Sequence, residues 1–285
     1  MLAASRLPSF VIIGAAKAAT SSVRTLLQEH PQVFLAQGGV EPQFFARDDV
    51  YARGFAWYGS LFADAPDGAL LGECSNIYTE RERYPETASR LARHVPDAKL
   101  IYLVRDPLPR IASLWTQLRS HGGEDVHYDF ATSIERDREL LIGSTNYWRQ
   151  LEPYRRHFPD SRIQILFFED FSADPEAVMA QICRFLEIDT GVKLRPEEAH
   201  QNRSDGKLGA PPWFSRLRAS PTFRLLRRAL PERLRIQVRK SLVFREVAKP
   251  VWTPELRRLV LDELRDDSHA LLAHCGRPPS FWKLG

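Results

Sequence analysis

Phe10-Val11-Ile12-Ile13-Gly14 is an uncharged, β-branched run that stops on glycine, and Ala15-Ala16-Lys17-Ala18-Ala19-Thr20-Ser21-Ser22 carries it on into small residues, one lysine and a hydroxyl cluster. From Thr20 to Glu29 the apolar positions fall at helical spacing, so the passage reads strand, tight loop, helix. The same order returns at Lys99–Val104, where an apolar strand runs into Arg105-Asp106-Pro107 and then a helix from about Pro109 to Ser120. A third strand is expected at Arg162–Phe168. Further strands are expected at Val33–Ala36 and Leu70–Glu73, and helices at Tyr84–His94, Tyr147–Phe158 and Pro175–Leu186. Apolar strands alternating with helices predict an α/β fold in which helices cover both faces of a parallel sheet.

The 285 residues are 44% hydrophobic and 27% charged. That is enough apolar material for one large core, and a single domain over residues 1–285 is expected. No run free of Asp, Glu, Lys and Arg exceeds the eleven residues His30–Val40, whereas a membrane-spanning helix needs about 20 apolar residues. The opening residues show no convincing cleavage pattern of a secretory leader. Cys74, Cys183 and Cys275 form no C-x-x-C pair and have no paired histidines near them, so neither a disulfide framework nor a zinc site is expected. Reduced thiols in a cytoplasmic protein are the expectation.

After about Thr190 the alternation stops, and Pro196, Pro211, Pro212, Pro221 and Pro231 punctuate short basic amphipathic pieces. A helical insertion or cap over about 190–250 is expected. The net charge of +4 conceals eleven Lys or Arg between Phe214 and Lys249 against two acids, Glu232 and Glu246. A solvated helical face accounts for this segment; peripheral contact with an anionic membrane is the other reading. Nucleic acid is not expected as a partner, because no binding motif or stacking aromatics accompany the charge. Thr253-Pro254-Glu255 opens a closing helix that Gly276 stops.

Two loops carry the chemistry. Gly14 to Ser22 places small residues at a helix N-terminus, where exposed backbone N–H groups and the helix dipole favour a phosphate, with Lys17 as a point charge and Thr20, Ser21 and Ser22 as hydroxyl donors. It is not a Walker A loop, which needs a second glycine and a lysine directly before the helix. Arg105 to Ser113 lies at the carboxyl end of another strand, where open α/β sheets place ligands. Arg105 is suited to a phosphate, and Ser113 falls two turns into the next helix. Two such sites at adjacent strand ends imply a ligand with two separated phosphate groups.

Together these loops resemble the 5′-phosphosulfate loop and the 3′-phosphate motif of sulfotransferases that use 3′-phosphoadenosine 5′-phosphosulfate (PAPS), in particular the heparan-sulfate-type and bacterial carbohydrate branch. The resemblance continues at Val40-Glu41-Pro42-Gln43-Phe44-Phe45, at Gly54 to Phe62 with Trp57-Tyr58, and at Gly72-Glu73-Cys74-Ser75-Asn76-Ile77-Tyr78. It extends to Glu169-Asp170, Phe185-Leu186 and the last helix up to Trp282. It implies a P-loop-NTPase-like three-layer fold with a C-terminal helical region, and transfer of a sulfonate from PAPS to a hydroxyl of a carbohydrate, glycolipid or related metabolite, with no metal. Lys17 would stabilise the leaving phosphate. Lys17, Ala18, Ala19, Thr20, Ser21 and Ser22 would hold the 5′-phosphate, Arg105 and Ser113 the 3′-phosphate, and Glu41 would be the general base.

The chain departs from the pattern at Ala19, a usual glycine position that alanine tolerates unless the backbone is left-handed. Val40 and Cys74 stand where lysines are common and Gln43 where a histidine is. Two cations near the acceptor are thereby lost, which implies an acceptor less anionic than a uronate-rich glycan. Gln201 to Lys207 falls where the family folds a loop over the cofactor, so that Arg203 or Lys207 would meet the phosphates; a plain surface loop is an equal reading. The rival readings are a non-catalytic binder of 3′-phosphoadenosine 5′-phosphate (PAP) or another nucleotide, and, less favoured, an ATP-dependent phosphotransferase. None of the eight histidines is expected to be catalytic.

Overall fold

The structure, a computed structural model, describes residues 6–37, 41–120, 126–193, 208–209, 245–247 and 249–284. Val40, His121, the loop Gln201–Lys207 and all but a few residues of the basic segment lie outside them. Five strands, β1 (Phe10–Gly14), β2 (Val33–Leu35), β3 (Leu70–Cys74), β4 (Lys99–Val104) and β5 (Ile163–Phe167), form one sheet in the order β2-β3-β1-β4-β5. Every pairing in it is parallel. β1 lies in the middle and all five of its residues are buried, as its unbroken apolar run requires of a strand covered on both faces.

Helices flank this sheet. In chain order they are α1 (Thr20–Gln28), α2 (Asp48–Tyr51), α3 (Gly54–Ser60), α4 (Thr87–His94), α5 (Pro107–Ser120) and α6 (Phe130–Arg136). There follow α7 (Arg138–Leu141), α8 (Tyr147–Arg155), α9 (Phe168–Ala173), α10 (Pro175–Leu186) and α11 (Pro254–His274). A short antiparallel pair, β6 (Leu208–Gly209) with β7 (Arg245–Glu246), joins the two ends of the basic excursion.

The strands and helices expected before about residue 190 are present, β4 and α10 at the expected bounds and others with shifted ends, and local chemistry explains the larger shifts. α5 starts at Pro107 because Asp106 accepts a hydrogen bond from the Leu108 amide at 3.1 Å and caps it. α4 starts at Thr87, since Pro85 disfavours helical backbone at Tyr84 and the chain turns there instead. α8 ends at Arg155, and its last carbonyls go to the turn that brings the Phe158 amide onto the Tyr154 carbonyl at 2.8 Å. α11 matches its reading closely: the Thr253 hydroxyl accepts from the Leu256 amide at 3.2 Å, Pro254 opens the helix, and Gly276 follows it at φ +66°.

α11 reaches back to the sheet side of the molecule. Asp267 accepts from the amides of Trp148 at 3.0 Å and Arg149 at 2.8 Å, which caps the start of α8 from another helix. Beyond α11, buried Trp282 packs against Phe167 and Tyr147 with ring centroids 5.6 and 5.8 Å away.

Candidate functional site

β1 and β4 are hydrogen-bonded neighbours, so the two loops read from the sequence leave the sheet side by side. The Ala15 amide donates to the Leu103 carbonyl at 2.7 Å and ties the first loop to β4. Ala15 and Ala18 are buried in the core, and Lys17 and Ala19 have left-handed backbone, φ 71° and 70°. Ala19 thus occupies the conformation that glycine tolerates best, and the alanine there carries a local strain. It is also the N-cap of α1 and supplies no side-chain oxygen. The first-turn amides at Thr20, Ser21 and Ser22 have no preceding helical carbonyls, so an anion is their natural acceptor.

The second loop grips the first. Arg105 Nη1 donates to the Lys17 carbonyl at 3.2 Å, and its guanidinium lies 4.1 Å from the centroid of the Phe168 ring. Burial pulls the Arg105 guanidinium below its ordinary pKa, with Tyr147, Glu169 and Asp106 opposing that shift. Tyr147 donates its phenol to the Arg105 carbonyl at 2.8 Å, and Glu169 accepts the Asp106 amide at 2.8 Å. Arg110, only 2% exposed, donates from Nε to the Ala16 carbonyl at 3.1 Å and from Nη1 to Ser144 Oγ at 2.7 Å and Thr145 Oγ1 at 2.6 Å. Two guanidinium groups therefore fix consecutive carbonyls on either side of the loop's peptide at Lys17. Ser113 is 9% exposed on the same helix as Arg110, three residues on.

Glu41 is fixed by one residue. It accepts from the backbone amide of Asn76 at 2.8 Å and from the Asn76 side-chain amide. Burial raises its pKa and Glu80 adds to that, while the Asn76 amide and the Arg24 charge work against it. Arg47 does not pair with it; Arg47 holds Asp49 at 2.8 Å. Two more bonds fasten the same segment to the same strip of chain: the Gln43 amide donates to Ser75 Oγ at 2.9 Å and the Phe45 amide to the Tyr78 phenol at 3.1 Å. Gly14 allows that strip to approach the loop of Lys17. A Cβ there would fall 2.3 Å from Thr79 Oγ1 and 3.2 Å from the Asn76 carbonyl oxygen. The residue that orients Glu41 thus rests on the glycine that opens the loop of Lys17.

Cys74 lies buried at the end of β3, and burial pushes its thiol well above the ordinary range. Beside it Glu73 is wholly buried, its carboxyl raised to about 7 by loss of hydration. Sequence reasoning quoted Asn76, Glu73 and Arg110 within motifs without giving them roles. Their signal was faint: an uncharged amide, a carboxylate in an apolar strand, and an arginine five residues after another. Three of the described histidines bond to neighbouring groups in the fold. His30 Nε2 lies 2.9 Å from the Asp189 carbonyl, His94 Nε2 2.7 Å from the Tyr51 phenol, and His127 Nδ1 accepts the Asp129 amide at 3.2 Å. Among the described residues no cluster of His, Cys, Asp or Glu is arranged to hold a metal ion, and no helix is long and apolar enough to cross a membrane.

Residues 7–205 match the family described as "Sulfotransferase domain". Among curated proteins, the mouse (Mus musculus) heparan sulfate glucosamine 3-O-sulfotransferase 3A1 is 31% identical over 187 residues, covering 64% of this chain and 46% of its own length. The human (Homo sapiens) heparan sulfate glucosamine 3-O-sulfotransferase 6 is 32% identical over 195 residues, covering 64% and 52%. The chain thus spans about half the length of the curated relatives it matches. Among solved structures, a sulfotransferase from Alicyclobacillus acidocaldarius superposes with a TM-score of 0.68 at 22% identity, over 98% of this chain and 99% of that one, a likeness of fold.

Proposed function

The chain belongs to the sulfotransferase domain family, and from that premise we propose that it transfers a sulfonate group from PAPS to a hydroxyl of a carbohydrate or carbohydrate-bearing metabolite. The observation that carries this reading is the meeting of two anion-suited loops at neighbouring strand ends, where Arg105 donates to the Lys17 carbonyl beside a helix N-terminus that has no side-chain cap. A nucleotide with phosphates at its 5′ and 3′ ends matches that spacing of charge. The amides and hydroxyls of Thr20, Ser21 and Ser22, with the backbone of Ala18 and Ala19, hold the 5′-phosphate in this reading. Arg105 and Ser113 hold the 3′-phosphate.

Sulfonyl transfer needs a positioned hydroxyl, a base and help for the leaving group. Glu41 takes the proton of the acceptor hydroxyl as its oxygen forms the new bond to sulfur. The sulfur–oxygen bond to the phosphate breaks, and Lys17 stabilises the charge that gathers on the departing phosphate of PAP. The bidentate hold of Asn76 fixes the Glu41 carboxylate, and burial raises its basicity. No metal takes part in this scheme.

The buried, uncharged Cys74 supports an acceptor with fewer anionic groups than a uronate-rich glycan, because no cation stands at that position. We further read the chain as one domain carrying a basic excursion, with a solvated face over 214–249 preferred and peripheral contact with an anionic membrane as the other reading, and three free cysteines as a mark of a reducing cytoplasm. The test is acceptor-dependent conversion of PAPS to PAP across neutral and anionic sugars, with Glu41→Gln as control. Turnover with neutral acceptors that the substitution abolishes is the expected result. Equal rates on uronate-rich glycans would overturn the acceptor class. Nucleotide binding without turnover on any acceptor would favour the non-catalytic binder.

A further inference from the structure

Glu73 is the fourth residue of β3 and lies opposite Val11 of β1 in the centre of the sheet. It is 0% exposed, and neither carboxyl oxygen reaches a hydrogen-bond partner among the described residues. The groups that act on it come from four elements: Tyr58 from α3, Tyr78 from the single turn Asn76–Thr79, Tyr154 from α8, and Glu41 from the segment before α2. Three are phenols and one is a carboxyl. The Tyr78 and Tyr58 phenols favour the anion in part, but none of the four groups carries a positive charge, so loss of hydration outweighs them and the carboxyl group escapes the penalty by keeping its proton.

The place of Glu73 in the chain gives this proton a consequence. Ser75, Asn76 and Tyr78, two to five residues further on, supply the side-chain and amide partners that tie Glu41, Gln43 and Phe45 to this strip of chain. Tyr78, which accepts the Phe45 amide, is also one of the phenols against Glu73, and the Tyr154 phenol donates to the Tyr78 carbonyl at 2.6 Å. The aromatic layer above is tight: Phe44 stacks on Tyr58 at 4.3 Å. A charge appearing on Glu73 would sit beneath the whole fastening of Glu41.

We propose that Glu73 is a positioning residue for the transfer reaction, holding a proton so that Glu41 is the one anionic carboxylate of the pair and the phenols around Glu73 keep the Glu41–Phe45 segment in place. This rests on the reading of Glu41 as the base. Two like charges in one poorly hydrated region do not ionise independently, and environments that push two carboxyl groups apart divide their roles. Glu41, bound to two N–H donors and facing Arg24, is the one equipped to carry the charge. The raised titration of Glu73, near 7, agrees with the geometry, and Glu41 is one of its causes.

The experiment is a carboxyl-carbon NMR titration of the full chain, with the two resonances assigned by Glu41→Gln and Glu73→Gln. It is paired with the pH profile of kcat on the same proteins. Glu73 is expected to hold its proton to about pH 7, Glu41 to titrate first, and Glu41→Gln, which removes the neighbouring charge, to move the Glu73 titration to lower pH. In catalysis Glu73→Gln, a neutral isostere, is expected to hold its rate through the alkaline limb where the wild type falls, whereas Glu73→Ala loses rate at every pH. A Glu73 resonance that titrates like an exposed glutamate, or a Glu73 titration indifferent to Glu41→Gln, would overturn the proposal. So would an unchanged alkaline limb, or loss of rate in Glu73→Gln while PAP binding is retained. If both carboxyl groups titrate as expected and the wild type transfers no sulfonate, it is the functional reading that fails and not the division of the proton.

Discussion

Glu41 is acted on in opposite senses by its surroundings, and the balance suits a base. Burial makes it hold a proton more tightly, while the Asn76 donors and Arg24 keep it anionic when free. Glu41→Gln is expected to lower kcat by roughly a hundred to ten thousand fold and to leave PAP affinity unchanged, as steady-state kinetics beside calorimetry will read. Lys17→Ala is expected to cost roughly a hundred to a thousand fold in kcat, the size of a lost electrostatic partner of the transition state. Ala19 is a different matter, since its left-handed backbone is a cost in the free protein. Ala19→Gly should raise the urea midpoint, with a gain of up to about 1 kcal/mol after the glycine's own entropy is counted. At this scale the sequence disclosed residues with obvious charge or position, Lys17, Arg105 and Glu41. It did not disclose Asn76 and Glu73, because an asparagine's role depends on what folds back onto it and a buried carboxyl looks like any other on the page.

The elements were legible wherever one local rule governed them. β1 throughout, and β4 after its opening Lys99, are buried runs in the interior of the sheet, and α10 occupies Pro175–Leu186 as its pattern implied, with Asp174 capping the Ala177 amide at 2.9 Å. Ends moved where caps and prolines competed, as at Asp106 and Pro85. What sequence reading missed between elements is the clamp of α5 on the phosphate loop, since periodicity says nothing of where Arg110 reaches. Removing that side chain takes the donor from the buried Ala16 carbonyl and from the Ser144 and Thr145 hydroxyls, which keep only their own bonds to the Leu140 and Leu141 carbonyls. Arg110→Met is therefore expected to cost about 2–4 kcal/mol of stability by chemical denaturation. It should also weaken PAP binding, although Arg110 makes no contact with the nucleotide in this account. At the other end of the chain, Thr253→Ala should remove about 1 kcal/mol through its lost cap.

Over the whole molecule the buried carboxyls set a direction for stability against pH. Glu73 is raised from 4.5 to about 7 and Asp267 from 3.8 to about 6, each first by burial. Both therefore bind protons more tightly folded than unfolded, so their contribution is full below the ordinary carboxylate range and is lost as pH rises through about 4 to 7. Denaturation midpoints should fall from about pH 5 to about pH 8. Glu73→Gln should flatten that fall by up to roughly 3 kcal/mol. The parallel sheet and its order of loops follow from patterns any chain of this class must show, whereas the family resemblance rests on the particular residues set at the strand ends. The ligand those strand ends take is the decisive property of the molecule. Calorimetric titration of the protein with PAP, against ATP and AMP, reads it directly. Tight binding that requires the 3′-phosphate, and that Arg105→Ala weakens by about tenfold to a hundredfold, is the predicted result. Equal or better binding of ATP, or no binding of PAP, would contradict it.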